Sequence, residues 1–407
     1  MRTKDFINTI LVGCMFVACS QDDSSVSIDN SMATSHRISV EQAKLNAIDF
    51  ASKVNSKTRS GRVFEVDNVQ AISLSASSTR STSDSINLDT LLYIVNFADS
   101  AGFVIAGTDD RENSIYAYIE EGNYSWGDSD THNSGFAAFL YALLESKSYN
   151  DKGNFEEHQN EYEGHGGGGG KPSKFEVMSP LLVTKWSQEN PYNTYCPNGI
   201  TGCVATAVSQ ICSFLEEPRI IQWNYNNEIG SVNLDWSKIK SECKSTGKPS
   251  TTANQIARLM RHWGDRFNAN YGANSTEIDS DDAIDTMQGL EFNVTDLDDY
   301  DVNNVVKSLK KGNKIVYMRG NGRYYHVGLV FRKYVDGHAW VVDGYIDEVK
   351  QNKQSYYLHC NWGWGGYRNG YFLNNAFNAE QNPPYNDNAK TRSSNFRYNL
   401  ETAIFTK

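Results

Sequence analysis

A run of glycines, Gly166–Gly170, interrupts the middle of this 407-residue chain and does the most to limit how it can fold. Glycine-rich segments are flexible and open to proteases, and they join domains rather than lie inside them. The polar and charged residues 151–163 lead into the run. We therefore place a Gly-rich linker at residues 151–174, ahead of a C-terminal unit that covers residues 175–407.

The composition limits the kinds of protein that this chain can be. The chain has 38 basic and 49 acidic residues, for a formal net charge of -11, which argues against nucleic acid as a partner. It also has 23 tyrosines and 8 tryptophans, enough aromatic side chains to build a packed core. A folded protein of two to three domains is expected at this length.

The first segment reads as an export signal. Residues Phe6–Ala18 form a short apolar run behind basic residues, too short for a bilayer, which requires about 20 apolar residues. We expect a signal peptide at residues 1–18. The sequence that ends in Cys19 resembles a bacterial lipobox, which implies cleavage before Cys19 and lipid attachment to its sulfur. Ordinary secretion with cleavage nearby is the alternative.

Residues 19–38 are polar and are expected to form a tether. The acidic stretch Ser20–Asp23 resembles export tags of surface lipoproteins in some Gram-negative bacteria. We therefore expect an exported protein whose only membrane contact is the N-terminal lipid, at the outer membrane or cell surface. The mature domain would be released if it is cut from the tether.

Residues 39–150 have the pattern of a small α+β domain. Ser39–Gln42 fits a capping box that starts a helix, and Gly135–Leu144 predicts a second helix. Three strands separated by turns are predicted between these helices, at Leu91–Phe97, Gly102–Ala106 and Ser114–Ile119.

The C-terminal unit has helices first and strands later, which is typical of the α+β class. A helix is predicted from Cys203, because Val204, Val208, Ile211 and Leu215 recur at helical spacing. Further helices are predicted at Asn254–Trp263, Asp281–Met287 and Val302–Leu309. Strands are predicted at Lys314–Met318, His326–Phe331, His338–Val342, Ser355–Cys360 and Phe396–Phe405.

Cys203 follows Gly202 at the start of its predicted helix. Free N–H groups and the helix dipole favour an anion there, so the thiol would lose its proton more easily and act as a nucleophile. A buried structural cysteine is the alternative. Seven cysteines are present and none forms a CxxC pair, so we expect no metal site. A disulfide among Cys196, Cys212, Cys243 and Cys360 stays open.

A cysteine nucleophile needs a base, and histidine suits that role near neutral pH. Spacing alone does not choose among His262, His326, His338 and His359. The base needs an orienting partner and the oxyanion needs donors. Asn361 is a plausible orienting amide and Gln188 a plausible oxyanion donor, although a packed turn and a surface loop would explain them too.

Three blocks of the sequence resemble the streptopain family of secreted bacterial cysteine peptidases. They are Gly202–Ala207, Gly337–Gly344 and Asn361–Gly366. The resemblance implies a papain-like fold, in which a helical part carries the nucleophile and an antiparallel sheet part completes the cleft. It also extends to Gly102–Arg111, which is similar to the inhibitory propeptide of that family.

The resemblance implies a role for each site residue. Cys203 would be the nucleophile and His338 the general base and acid. Gln188 would form the oxyanion hole, Asn361 would orient His338, and Trp362 would shield that contact. No cofactor is implied.

The activity implied is hydrolysis of protein or peptide substrates by an enzyme made as a zymogen. Gly337, directly before the base, would line the substrate site. The enzyme's own propeptide would act as an intramolecular inhibitor until the linker is cut. The cut would be made by the enzyme itself, or by a trypsin-like protease at Lys171 or Lys174.

Some features depart from the family pattern. Residues Tyr324–Asp336 read as an inserted strand that carries His326, a competitor for the role of base. Two other functions are considered: a cysteine amidase or transamidase acting on cell-wall peptide, and a surface-binding protein on a retired peptidase scaffold. The presence of every required site residue argues against the second of these.

Overall fold

The computed structural model describes part of the chain. The described residues are 36–58, 62–73, 90–126, 135, 136, 139, 140, 143, 144, 147, 172–225, 228–246, 249–273, 275–327, 331–374 and 398–407. The backbone alone is described for residues 225, 246, 322–327, 331–336, 398 and 399. The predicted signal peptide, Cys19 and nearly all of the tether and linker lie outside these residues.

The N-terminal unit is a helix on an antiparallel sheet, as predicted. Helix α1 spans Val40–Thr58, and the Ser39 hydroxyl accepts the N–H of Gln42 at 3.2 Å, which caps its first turn. The strands are β1 Val66–Ser73, β2 Thr90–Phe97, β3 Phe103–Ala106 and β4 Ile115–Ile119. Strand β1 was not predicted, because Ile72 is its one fully buried residue. The described residues of the predicted helix at Gly135–Leu144 are helical.

The predicted helices of the C-terminal unit are confirmed. The helices are α2 Cys203–Leu215, α3 Trp236–Thr246, α4 Ala253–Arg266, α5 Ser280–Gly289 and α6 Val302–Leu309. Side-chain caps explain the sharp starts of two of them, since Asp279 accepts the N–H groups of Asp281 and Asp282, and Asp301 accepts that of Asn303. Helix α3 was not predicted.

The remaining strands contain one correction to the sequence analysis. They are β5 Lys174–Met178, β6 Ile220–Tyr225, β7 Glu228–Asn233, β8 Asn270–Tyr271, β9 Thr276–Glu277, β10 Asp298–Asp299, β11 Lys314–Val327, β12 Phe331–Lys350, β13 Lys353–Asn361, β14 Gly370–Leu373 and β15 Tyr398–Thr406. The strand predicted at His326–Phe331 is wrong, because Val327 pairs with Phe331 where β11 turns back into β12. The segment read as an inserted strand is therefore the far end of a hairpin.

One large sheet runs through both units. Its strand order is β1-β2-β3-β4-β14-β13-β12-β11-β15-β10, and β5 pairs with β12. The two units meet where β4 pairs with β14, with Ile119 opposite Gly370 and Ala117 opposite Phe372. The α+β class is confirmed, and the N-terminal unit extends the antiparallel sheet of the C-terminal unit.

Strand β12 divides two hydrophobic cores. Trp340 and Val342 face a core that the N-terminal unit shares, whereas Ala339 and Val341 face a core built on helices α2 and α4. Successive side chains of a strand point to opposite faces, so this alternation fixes the face on which each neighbour lies. Among the described residues, no helix is long and apolar enough to cross a membrane.

Candidate active site

Cys203 is the first residue of helix α2, as the sequence predicts. Gly202 precedes it with φ 87°, a left-handed conformation that favours glycine. A side chain at Gly202 would also meet Thr276, whose Cγ2 lies 3.2 Å from the position of an ideal Cβ. The glycine therefore lets the chain enter the helix sharply and leaves the thiol at its N-terminal end.

The environment of the Cys203 thiol contains opposing effects. Burial raises its pKa, whereas the backbone N–H groups of Ala339, Val204 and Cys203 itself act to lower it. The pKa stays above the ordinary value, so the thiol is protonated at neutral pH in this structure. Its contact with Ala339 places the sulfur against the backbone of β12, directly beside His338.

His338 is 5% exposed and its Nε2 lies 3.0 Å from the backbone oxygen of Trp362. Three indoles lie nearly parallel to its ring, with centroids 6.1 Å away for Trp340, 6.4 Å for Trp362 and 5.8 Å for Trp364. Burial lowers its pKa to about 4, although the bond to Trp362 opposes that shift. The imidazole is therefore neutral at physiological pH.

The structure brings the backbone of Ala339, the residue after His338, to the Cys203 thiol. His338 shares a strand face with Trp340, while the partly buried Cys203 packs against the core that Ala339 faces. Within the described part of the chain, no hydrogen bond joins the imidazole to the thiol. The roles predicted for this pair stay predictions, and the geometry is that of an unassembled pair.

Asn361, at the end of β13, does not hold the imidazole in this structure either. Its Nδ2 donates to the Thr184 oxygen at 2.9 Å, and its Oδ1 accepts from Gln210 Nε2 at 3.1 Å and from the Gly363 N–H at 3.3 Å. Through these contacts both the nitrogen and the oxygen of the Asn361 amide are paired with groups other than His338. Its role as the partner of His338 therefore requires a rearrangement of the Gly363 segment.

Gln188 is joined by its backbone to Thr201, two residues before Cys203, and Gly337 directly precedes His338. Gln188 is 8% exposed, and its backbone oxygen accepts the N–H of Thr201 at 3.2 Å, which ties it to the loop before Cys203. Gly337 is exposed and pairs with Asn321 on β11, next to His338. Both positions suit residues that would contact a substrate.

The other histidines have structural surroundings. His359 Nδ1 lies 2.6 Å from Asp343 Oδ1, and this carboxylate helps to raise the pKa of the imidazole to about 9 in spite of burial. His262 Nδ1 lies 3.2 Å from the Gln222 oxygen, and burial lowers its pKa. The side chain of His326 lies outside the described residues.

Gln210 is a site residue that the sequence reasoning missed. It is 0% exposed on helix α2 and contacts Asn361 through both ends of its amide. A glutamine in a run of apolar and small residues was the available signal. The cysteines at 196, 203, 212, 243 and 360 are all free thiols. Within the described residues, no group of three His, Cys, Asp or Glu side chains is placed to hold a metal ion.

Comparison with known proteins identifies the family. Residues 186–372 match the Peptidase C10 family, and residues 35–146 match the Spi protease inhibitor family. The chain carries a peptidase C10 domain at residues 186–372. It is a cysteine-type endopeptidase joined to an inhibitor-type propeptide, and we call residues 35–146 the prosegment.

The chain is similar to proteins from three bacteria. Streptopain from Streptococcus pyogenes is 24% identical over 331 residues, which cover 70% of this chain and 74% of streptopain. The thiol protease/hemagglutinin PrtT from Porphyromonas gingivalis is 21% identical over 340 residues, or 71% of this chain and 34% of that protein. A solved fragment of prointerpain A from Prevotella intermedia has a TM-score of 0.50 and 21% identity, and covers 84% of this chain and 98% of the fragment. That last similarity supports the fold.

The prosegment of this C10 peptidase packs directly on Trp362, whose oxygen holds His338. A Cβ built at Gly135 would lie 2.3 Å from Trp362 Cε3, so the prosegment helix lies against the indole without space for a side chain. Beside it, Phe136 and Phe139 contact Phe372 at 6.3 and 4.9 Å between ring centroids. Phe372 in turn contacts Trp362 at 5.2 Å.

Arg368 fixes the loop that begins at Trp362 to the prosegment. It is 3% exposed, and its guanidinium lies 5.0 Å from the ring centroids of both Phe103 and Tyr124. Its Nη1 donates to the Asn123 oxygen at 2.8 Å. Its own backbone oxygen accepts Trp362 Nε1 at 3.1 Å, so this anchor connects back to the indole.

Two ion pairs cross the same boundary. His359 Nε2 lies 3.5 Å from Glu120 Oε2, and this pair is buried beside Asp343. Lys185 Nζ lies 2.7 Å from Glu121 Oε1, and that pair is partly exposed. The prosegment thus contacts the loop from Trp362 to Arg368 through aromatic packing and the buried Arg368. It also contacts strand β13 through the buried His359.

Proposed function

We propose that this C10 peptidase is an exported endopeptidase made as an inactive precursor, with Cys203 as its nucleophile and His338 as its general base and acid. One observation carries the proposal: His338 is held on the Trp362 oxygen, one residue from the backbone that touches the Cys203 thiol, by a loop on which the prosegment packs. Catalysis requires the ring to move to the sulfur.

Activation changes the protonation of the pair. In the precursor the thiol is protonated and the imidazole neutral, because removal from solvent disfavours the charged form of each group. When the prosegment leaves, the Trp362–Arg368 loop is free to shift and the ring turns towards Cys203. A proton passes from sulfur to nitrogen, and each charge then stabilises the other.

The catalytic cycle follows from these groups. The Cys203 thiolate attacks the scissile carbonyl carbon, a C–S bond forms, and the carbonyl electrons move to oxygen. The imidazolium of His338 gives its proton to the leaving amine as the C–N bond breaks. Water then attacks the thioester and loses a proton to His338, the C–S bond breaks, and an acid is released with the thiolate and imidazolium restored.

The remaining site residues support this cycle. The Gln188 side chain and the Cys203 N–H would stabilise the oxyanion, an effect of about 3–4 kcal/mol per donor in comparable sites. Asn361 would accept the second imidazole N–H through Oδ1, and Trp362 would exclude water from that bond. Gly337 would border the substrate backbone, since it is exposed beside His338.

Location belongs to the same proposal. The apolar run that ends before Cys19 supports export, and a lipid on the Cys19 sulfur would hold the precursor at a bacterial outer membrane or cell surface. Cleavage within residues 151–174 would then release the peptidase from the lipid and from the prosegment together. The substrates would be proteins in the surroundings of the cell.

N-terminal sequencing of wild type and Cys203→Ala tests the proposal. A trimmed wild type beside a full-length Cys203→Ala protein would show self-processing and settle the nucleophile. Identical trimming would show activation by another protease. In that case, labelling with an epoxide inhibitor of cysteine peptidases and cleavage of casein decide the outcome.

Labelling of Cys203 together with casein cleavage supports the endopeptidase. Labelling without proteolysis would favour an amidase or transamidase. Linker-cut protein that neither labels nor cleaves would contradict the proposal and favour a binding protein.

A further inference from the structure

Gln210 lies about two turns after Cys203 on the same helix, since a turn takes about 3.6 residues. Its side chain is 0% exposed in the core that surrounds helix α2. A buried amide costs free energy unless its donors and acceptor are paired. The contacts that satisfy it are therefore informative about its role.

Those contacts join Gln210 to two other segments of the site. Its Oε1 accepts the Trp186 N–H at 3.2 Å and the Thr184 hydroxyl at 3.3 Å. Its Nε2 donates to Asn361 Oδ1 at 3.1 Å, and Asn361 Nδ2 lies 3.2 Å from Gln210 Oε1. The two amides thus face each other as a pair.

The segments that meet at this amide pair each carry a predicted site residue. Helix α2 carries Cys203 at its first position, the chain through Thr184 and Trp186 continues directly to Gln188, and Asn361 belongs to the loop of Trp362. A single side chain therefore sets the spacing between the nucleophile, the oxyanion donor and the partner of the base.

The orientation of the Asn361 amide matters for catalysis, because only its oxygen can accept an imidazole N–H. Two donors now point at Oδ1, from Gln210 and from the Gly363 backbone. Gly363 lies in the loop that must shift when His338 moves to the thiol. Gln210 lies in the middle of a buried helix and has no reason to move.

We propose that Gln210 is a positioning residue for peptide hydrolysis: it keeps Asn361 Oδ1 facing the site while the Gly363 contact is exchanged for the His338 ring. The inference rests on the proposed function. It predicts that loss of the Gln210 amide leaves the nucleophile in place and misorients the base.

Two substitutions separate positioning from simple packing. Gln210→Met keeps a similar shape without hydrogen bonds. Gln210→Glu keeps an acceptor for Trp186 and Thr184 but places an acceptor against Asn361 Oδ1. The matched control is Ser209→Ala, since Ser209 is the neighbouring buried residue on the helix, and its hydroxyl has no hydrogen-bond partner among the described residues.

All variants are made as the full chain, cut at the linker with trypsin, and titrated with a radiolabelled epoxide so that turnover is expressed per reactive thiol. We expect kcat per titrated site to fall about 10- to 100-fold in both Gln210 variants, with a much smaller change in KM. The alkaline limb of the pH profile of kcat/KM should move to lower pH, because the imidazolium loses its oriented acceptor. Ser209→Ala should match wild type.

Several results would overturn the inference. Gln210 variants that keep wild-type kcat per titrated site and pH profile, with only a lower melting temperature, would show a purely structural glutamine. The same conclusion follows if neither variant yields titratable protein while the milder Thr184→Val variant, which removes one contact to Gln210, has wild-type kcat and pH profile. A wild type that the epoxide does not label contradicts the proposed function instead, so the two failures are distinguishable.

Discussion

The Nε2 atom of His338 lies 3.0 Å from the backbone oxygen of Trp362. This contact holds the ring, and within the described residues no hydrogen bond joins it to the Cys203 thiol, which meets the N–H of Ala339. The thiol and the imidazole are therefore both uncharged at neutral pH. The uncharged pair gives the proposed latency a chemical cause, since an uncharged thiol is a poor nucleophile.

Alkylation of Cys203 should separate the precursor from the cut enzyme. A raised thiol pKa means that the thiolate forms only at a pH above the ordinary thiol value of about 8.5. We expect iodoacetamide to modify Cys203 of the precursor slowly at pH 6 and faster as the pH rises beyond about 9. In the cut enzyme the reaction should already be fast at pH 6, because His338 then carries the thiol proton.

The measurement is mass spectrometry of the peptide that contains Cys203 after short exposures across the pH range. Cys203→Ser supplies the background from the other thiols. Equal rates in precursor and cut enzyme at pH 6 would contradict the unassembled pair.

Gly135→Ala should loosen the prosegment. The new methyl group would lie well inside contact distance of the Trp362 ring, which is 1% exposed and cannot move freely. We expect a destabilisation of about 1–3 kcal/mol, typical of overpacking, and faster self-processing at a fixed protein concentration. The readouts are the melting temperature in a Cys203→Ala background and the half-time of processing in the active form.

Gly289→Ala is the matched control for that substitution. A Cβ at Gly289, near the end of α5, would meet nothing within 4 Å. This variant should process at the wild-type rate and be slightly more stable, by at most about 1 kcal/mol from helix propensity. Equal processing of the two variants would show that the contact with Trp362 does not support latency.

Local sequence predicted the helix start at Cys203 well, because a glycine and the apolar spacing of Val204, Val208 and Ile211 lie next to it. It did not choose the base among four histidines, and the choice of His338 came from resemblance to a family. His359 illustrates why local sequence cannot assign a role to each histidine. Its partner Asp343 lies on a neighbouring strand, and no local pattern predicts that the two residues pair.

The positions of the site side chains could not be predicted from the sequence for a related reason. The position of the His338 ring depends on Trp362, and the position of Trp362 depends on Gly135 far away in the prosegment. The contacts of Gln210 likewise reach Thr184 and Asn361, in segments that only the fold brings together. Periodicity reports which face of an element is buried, not which buried polar groups pair.

Glu120→Gln should weaken the prosegment in a pH-dependent way. The folded-state pKa of His359 is raised to about 9, so its charge stabilises the fold fully below about pH 6.5, the ordinary value, and this stabilisation is lost as the pH rises through about 9. Removing the Glu120 charge, 3.5 Å from the ring, should cost about 1–3 kcal/mol at pH 6. The cost should shrink above pH 9, where wild type has already lost the pair.

The test compares melting temperatures of Cys203→Ala with and without Glu120→Gln between pH 6 and pH 10. Glu121→Gln is the control, because its pair with Lys185 is partly exposed and should contribute less than about 1 kcal/mol. A melting difference for Glu120→Gln that is the same at every pH would rule out a charged His359 as its cause.

The processed peptidase should begin at or before Lys174. Strand β5 starts at this residue and pairs with β12, with Lys174 opposite Val349 and Glu176 opposite Asp347. The Lys174 ammonium lies 2.7 Å from the Asp347 carboxylate, which is 2% exposed. This contact stabilises the buried negative charge of Asp347. A cut after Lys174 would remove its pairing with Val349 and the ion pair with Asp347, so brief trypsin treatment should stop upstream, at Lys171 or earlier in the linker.

Sequencing of the new N-terminus after limited digestion checks this limit, and a peptidase that starts at Phe175 would contradict it. Lys174→Met should lower the stability of the precursor by only about 1–2 kcal/mol, since Lys310 at 3.6 Å still faces Asp347. Lys44→Met, which breaks an exposed pair with Glu41 on α1, should change the precursor by less than about 0.5 kcal/mol. If the two substitutions have equal effects on the precursor, the start of β5 is not the anchor that sets the processing limit.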